Sequence, residues 1–249
     1  MRSKLITSAV VLTAAGSPVS ANDWYTGAPM SGRPTTFSPL GSVDLSIAAV
    51  TGAQHAVVQG TLGPFGGLEQ TGLRVRLGGM LGSYVYDSTT PGVGKVRGDQ
   101  TGGAVLVGHE WIADRTKFSV YGGLDVLNTT LDRYDPRNRT SGSTFGFKGV
   151  LEFYSTPTRT TMASGALALS SANAAYYMRL KAGVAIYDQV YIGPEVLAMG
   201  DTFYTQGRVG LHLSGVKLGP VQFGVSGGYA HDRVRGGGAY GILDARMTF

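Results

Sequence analysis

The chain has no cysteine, which excludes disulfides, thiolate metal sites and cysteine nucleophiles together. Charge is sparse: Asp, Glu, Lys and Arg make up 15% of the 249 residues, where a globular chain carries roughly a quarter. No run of one sign occurs, and Lys and Arg nowhere gather into the basic stripe that tracks a phosphate backbone, so nucleic acid is not an expected partner. The four histidines, His55, His109, His212 and His231, fall in separate segments without H-x-x-x-H spacing, so neither a metal nor any other cofactor is expected. Past residue 21 no apolar run approaches the roughly 20 residues that a helix needs to cross a bilayer.

Glycine is abundant, with 39 residues, and hydrophobic residues make up an ordinary 43%. That mixture suits a sheet with one apolar and one polar face. Arg2 and Lys4, the apolar stretch from Leu5 to Ala15, and the small residues Val19-Ser20-Ala21 have the layout of a cleavable export signal over residues 1–21. Its removal leaves a net charge of about +3. Residues 22–41 are expected to form a periplasmic N-terminal arm. A chain that is both exported and embedded, without an apolar helix, has to cross with strands.

Alternation supports this. Leu73, Val75 and Leu77 share one parity and Arg74 and Arg76 the other; Met178, Leu180 and Ala182 oppose Tyr177, Arg179 and Lys181. Val209, Leu211 and Leu213 oppose Arg208 and His212, and Leu243, Ala245, Met247 and Phe249 oppose Asp244 and Arg246. The segments are long for a soluble sandwich, whose strands run nearer 5 or 6 residues. The fold class is therefore all-β, a closed antiparallel transmembrane β-barrel of about 12 strands over residues 42–249. The strands are expected at 42–50, 55–63, 71–87, 96–113, 116–132, 143–156, 159–172, 174–187, 189–199, 203–216, 219–231 and 238–249. An even count returns both termini to one side. The long connections, 87–100 and 132–143, follow odd strands, whereas 114–115, 156–158, 187–188 and 217–220 are tight turns after even ones, the asymmetry of outer-membrane barrels.

On the apolar parity, Phe145, Tyr176, Phe203 and Tyr229 are expected as one interfacial girdle and Phe118, Phe153 and Phe249 as the other, facing outer-membrane lipid. The polar parity is expected to line the lumen with Arg74, Arg76, Asp125, Lys148, Glu152, Arg179, Lys181, Glu195, Arg208, His212, Asp244 and Arg246. Charges of both signs allow two readings: a network that fills the barrel, because buried charges need partners, or a narrow polar conduit for a hydrophilic chain. The closing strand, ending in Phe249 after Met247, Ala245 and Leu243, resembles the signal by which barrel-assembly machinery recognises its clients.

Gly224-Val225-Ser226-Gly227-Gly228 fits G-x-S-x-G, but a nucleophile elbow needs a strand turning into a helix and this serine sits inside an alternating strand. Gly236, Gly238 and Gly241 fit G-x-G-x-x-G with no helix to follow. His212, Ser226 and Asp244, on the last three strands, are the best case for a lumen or rim enzyme acting on glucan or lipid. Asn138-Arg139-Thr140 is formally a glycosylation acceptor and reads as ordinary turn polarity.

Asp23-Trp24-Tyr25-Thr26-Gly27, Gly108-His109-Glu110-Trp111, Asn173-Ala174-Ala175-Tyr176-Tyr177 and Tyr191-Ile192-Gly193-Pro194-Glu195-Val196 resemble stretches of the cellulose biosynthesis protein BcsS family of alphaproteobacterial envelope proteins. So do Phe223-Gly224-Val225-Ser226-Gly227-Gly228-Tyr229, Asp232-Arg233-Val234-Arg235-Gly236 and Ala239-Tyr240-Gly241-Ile242-Leu243-Asp244-Ala245-Arg246. The resemblance implies a role in making or exporting cellulose at the outer membrane, with cellulose or its export components as partners. It implies no catalytic residue. The expected function is thus a non-enzymatic outer-membrane barrel of cellulose secretion, an accessory pore or an anchor for the export machinery. A lumen enzyme, or a general porin unrelated to cellulose, is the alternative.

Overall fold

The structure is a computed structural model, and it describes residues 39–249. The export signal at 1–21 and the Asp23–Gly27 stretch lie outside the described residues, as does the arm of residues 22–41 apart from its last three residues. Twelve strands close into one antiparallel barrel. They are β1 (Gly41–Val50), β2 (Ala53–Leu62), β3 (Gly72–Asp87), β4 (Lys95–Ala113), β5 (Thr116–Leu131), β6 (Gly142–Ser155), β7 (Thr161–Ser170), β8 (Tyr176–Tyr187), β9 (Val190–Gly200), β10 (Thr205–Leu218), β11 (Val221–Asp232) and β12 (Gly236–Thr248). Each strand pairs with its neighbours in sequence, and β1 pairs with β12 from Ser42↔Thr248 to Val50↔Tyr240. Gly41 and Phe249 lock that seam with reciprocal backbone hydrogen bonds of 3.0 Å. Closure leaves no sheet edge, the condition for crossing a hydrocarbon layer with strands.

The polarity is inverted relative to a water-soluble protein. Leu77, Leu124 and Leu211 are 56%, 60% and 60% exposed on the outer surface, while Arg74, Glu195 and Asp244 are wholly buried inside. Because side chains alternate across a strand, one register sends every apolar residue of that parity outward and every polar one into the lumen. Water on the outside would penalise such an arrangement, and lipid favours it.

The hairpins define two ends. At the end bearing Gly41 and Phe249, here the turn end, β4–β5 and β8–β9 connect tightly through Asp114 and Asp188, both at positive φ, where Asp is better tolerated than most side chains. The β2–β3 connection at this end is long, covering residues 63–71, and breaks the short-turn pattern. At the opposite loop end, β3 and β4 overshoot β2: pairing of β2 with β3 starts at Ala53↔Tyr84, whereas β3 and β4 pair on to Asp87↔Lys95. β10 carries a bulge at Gly215. Its φ is +91, and a Cβ there would lie 2.0 Å from the Gln189 carbonyl oxygen, so no side chain fits.

Candidate functional site

The lumen is crossed by ion pairs in layers. Nearest the turn end, Arg74 donates to Glu110 through Nε at 3.0 Å and Nη2 at 2.8 Å, and Lys117 lies 3.1 Å from the same carboxylate. Arg246 on β12 lies 3.5 Å from Asp44 on β1. Higher up, Arg76 on β3 grips Glu152 on β6 with two bonds of 2.6 and 2.7 Å, its guanidinium stacked 3.7 Å from the centre of the Tyr121 ring.

The opposite wall carries a second cluster. Arg179 on β8 lies 2.7 Å from Glu195 on β9 and 3.0 Å from Asp244 on β12, and Lys181 lies 3.4 Å from Asp244. Ser46 donates to Asp244 at 2.7 Å, and the Tyr240 hydroxyl to Glu195 at 3.1 Å. The β3–β6 and β8–β12 pairs join strands that are not neighbours, so these bonds are chords across the interior. Desolvated charges survive there because each one meets several partners. Lys148 stands 4.0 Å from Asp125, which also accepts from Ser170.

Arg208 is held by an amide, where Arg74, Arg76 and Arg179 are held by carboxylates. Its Nε donates to Gln206 Oε1 at 2.7 Å, its guanidinium lies 5.5 Å from the Tyr240 ring centre, and its buried Nη1 has no acceptor among the described residues.

Two voids flank the Arg76–Glu152 pair, which lines both. The one on the turn-end side is small, about 30 Å³, and is bordered by Lys117, Glu110 and Leu68. Leu68, from the long β2–β3 connection, is buried at this end; its N–H donates to Pro39 O at 2.8 Å, and its carbonyl accepts from Lys117 Nζ at 3.3 Å. That connection therefore folds inward as a stopper, and the tight-turn pattern after even strands gave no sign of it. The other void, about 290 Å³, runs from Ser46, Arg76 and Glu152 up to Tyr204 and Arg235 in the loop-end connections. The lumen is thus a cup, open at the loop end and floored by ion pairs.

The girdle residues are placed as follows. Phe118 and Phe153 sit side by side in register on the turn-end exterior, and Trp111 extends the row, its ring centre 5.9 Å from that of Phe118. Trp111 lies outside the expected girdle, although it shares a parity with Val105 and Val107. Phe145 is 80% exposed near the loop end, Tyr229 and Phe249 also face outward, and Tyr176 lies over Gly200. Phe203 departs from expectation. It lies in the β9–β10 connection and not on a strand, and its ring packs edge-on against the inward Tyr86 at 4.9 Å. Alternation gives it a membrane face only for a strand that starts at residue 203, whereas β10 starts at Thr205.

The residues weighed as a hydrolase do not assemble. His212 and Ser226 are partners in register, yet His212 Nδ1 contacts Ser214 Oγ at 2.9 Å and Nε2 contacts the Ala182 carbonyl at 3.0 Å. Ser226 donates to Glu195 at 2.9 Å, and Asp244 is held by Arg179 and Lys181. A nucleophile needs a free base within hydrogen-bond reach; His212 is turned to Ser214 and Ala182, and the carboxylate that Ser226 does reach, Glu195, is tied up in an ion pair with Arg179. Among the described residues no group of acidic or histidine side chains is arranged to hold a metal ion. Asn138, formally a glycosylation acceptor, is buried, its amide donating to the Tyr84 and Tyr86 hydroxyls at 3.2 and 3.3 Å.

Among solved structures, the barrel is similar in outline to a KdgM porin in complex with disordered oligogalacturonate, at 10% identity and TM-score 0.47, covering 84% of this chain and 99% of that one. It is also similar to the transport unit of the autotransporter AIDA-I from Escherichia coli (12% identity, TM-score 0.42, 88% and 93% covered). The β domain of the Bordetella autotransporter BrkA matches at 16% identity and TM-score 0.32, over 85% and 99%. No curated protein matches the chain. The model of the family described as cellulose biosynthesis protein BcsS matches residues 46–249, the barrel from mid-β1 to the terminal phenylalanine, and the chain belongs to that family.

Proposed function

We propose that the protein is a non-enzymatic accessory barrel of cellulose biosynthesis in the bacterial outer membrane, stationed as an anchor for the export machinery and not as an open conduit. Family membership supplies the pathway. The observation that carries the choice of anchor over pore is the pair of chords Arg76–Glu152 and Arg179–Asp244 across the lumen, with the Leu68 stopper beneath them. A polymer or a hydrated ion moving through would have to break buried, multiply bonded ion pairs, and separating one such partner costs about 3–5 kcal/mol. The apolar exterior and the aromatic row at Trp111, Phe118 and Phe153 favour outer-membrane lipid as the surroundings, with the turn end periplasmic and the loop end outside. The seam strand ending in Phe249 is the segment that barrel-assembly machinery would engage.

The test pairs a physical with a genetic measurement. Purified barrel in a planar bilayer is expected to give no steady current, and deletion is expected to lower cellulose output. A steady conductance from the natural protein would overturn the anchor in favour of a pore, and unchanged cellulose after deletion would overturn the pathway.

A further inference from the structure

The cup at the loop end has features that an inert filled barrel does not need. We propose that it is a carbohydrate-binding site that takes the end of an uncharged glucan chain from the outer side, an assignment that rests on the cellulose reading above.

The wall is aromatic and preorganised. Tyr84 and Tyr86 stack with ring centres 6.0 Å apart, and Phe203 packs edge-on against Tyr86 at 4.9 Å. The β5–β6 connection holds both tyrosines from behind: Asp135 accepts from the Tyr86 hydroxyl at 2.9 Å, and Asn138 donates to both hydroxyls. Across the mouth, Arg235 bridges Tyr84 and Tyr204 with its guanidinium 5.8 and 5.2 Å from the two ring centres. Rings fixed in advance lose little entropy on binding, and the C–H face of a pyranose is an apolar plate suited to them.

Polar groups complete the lining. Gln59 and Gln100 border the cup, and planar amides offer a donor and an acceptor together, the complement of a sugar hydroxyl; the Gln206 amide, also on the wall, is engaged by Arg208 and Asp232. The lining cations argue for an uncharged occupant: Arg76 has Glu152, Lys148 has Asp125, and Arg235 has Asp232. The exception, Arg208, borders the cup with a buried Nη1 that lacks an acceptor, which a hydroxyl oxygen supplies. A volume of about 290 Å³ sits at the small end of ligand pockets, roughly 300–1,000 Å³, and fits a chain end better than a long segment. The ion-paired floor stops the chain there.

The experiment is calorimetric titration of the purified full-length barrel in detergent with cellohexaose and, as the acidic counterpart, an oligogalacturonate. Tyr204→Ala and Gln59→Ala are the variants, each first shown to keep the heat-modifiable gel mobility of a folded barrel. Saturable binding of cellohexaose, weakened about tenfold by Tyr204→Ala, is expected. No binding of cellohexaose, binding of the acidic chain alone, or binding that neither variant weakens would overturn the assignment. Cellulose output after gene deletion is measured separately. Reduced output without saccharide binding sinks the cup and leaves the pathway, whereas binding with unchanged output sinks the pathway and leaves the cup.

Discussion

Arg76 and Glu152 meet in the middle of the barrel from β3 and β6, strands with two others between them, through two parallel bonds of 2.6 and 2.7 Å. Glu152→Ala leaves a guanidinium buried against Tyr121 and is expected to lower unfolding stability by about 3–5 kcal/mol, while Arg76→Met combined with Glu152→Leu restores most of it. Urea unfolding in vesicles, followed by gel mobility, reads both. A single mutant as stable as the natural barrel would mean that the pair contributes nothing to closing the lumen.

The outer surface gives a second expectation. Leu211 lies midway along β10 and is 60% exposed. Leu211→Arg, placing a charge on the lipid face, is expected to cost about 2–4 kcal/mol of folding into bilayers. On a water-facing surface the same change is nearly neutral, so equal folding yields into lipid vesicles would contradict a membrane-spanning barrel.

Much of this architecture was legible in the sequence, because a period of two needs only local information: Arg179 and Lys181 against Leu180 and Ala182 already separate lumen from lipid. The strand count and the seam at Phe249 follow from the same rule. What alternation cannot give is partnership across the barrel. Arg76 and Glu152 are 76 positions apart, and their meeting depends on closure and stagger of the whole sheet. Phe203 shows the other limit. A strand begun two residues early gave it a face, whereas its real position is set by Asp201, whose carboxylate accepts from the N–H groups of Phe203 and Tyr204. Likewise, nothing periodic marks residues 63–71 as a stopper: Phe65 and Leu68 are isolated apolar residues among turn formers, and only Leu68 is buried.

Leu68 allows that stopper to be tested. Its side chain is almost fully buried at the turn end, so Leu68→Ala is expected to destabilise by about 2–5 kcal/mol through lost contact and the cavity left behind. Replacing residues 64–70 with a short turn removes the stopper and leaves the chords. Bilayer recording of that variant is expected to stay silent; a steady current would mean that the connection, and not the ion pairs, seals the lumen.

The loop-end wall has its own acid dependence. Burial raises the Asp135 carboxyl, but hydrogen bonds from Ser88, the Arg137 N–H, Tyr86 and Thr90 outweigh it and hold the group below the ordinary carboxylate value. A depressed folded-state value means that ionised Asp135 stabilises the docked β5–β6 connection above about pH 4, the unfolded value, and that this contribution fades as pH falls through the folded one. Protonation weakens the acceptor of the Tyr86 hydroxyl, and Tyr86 is the ring against which Phe203 packs. Amide hydrogen exchange over residues 132–141 is therefore expected to speed up below pH 4 relative to the β8–β9 hairpin. Asp135→Asn is expected to show the faster exchange already at pH 7 and to lose most of the acid dependence. If the variant kept the natural pH profile, the docking of this connection would not depend on the Asp135 charge, and the rings at the cup's mouth would be held by packing alone.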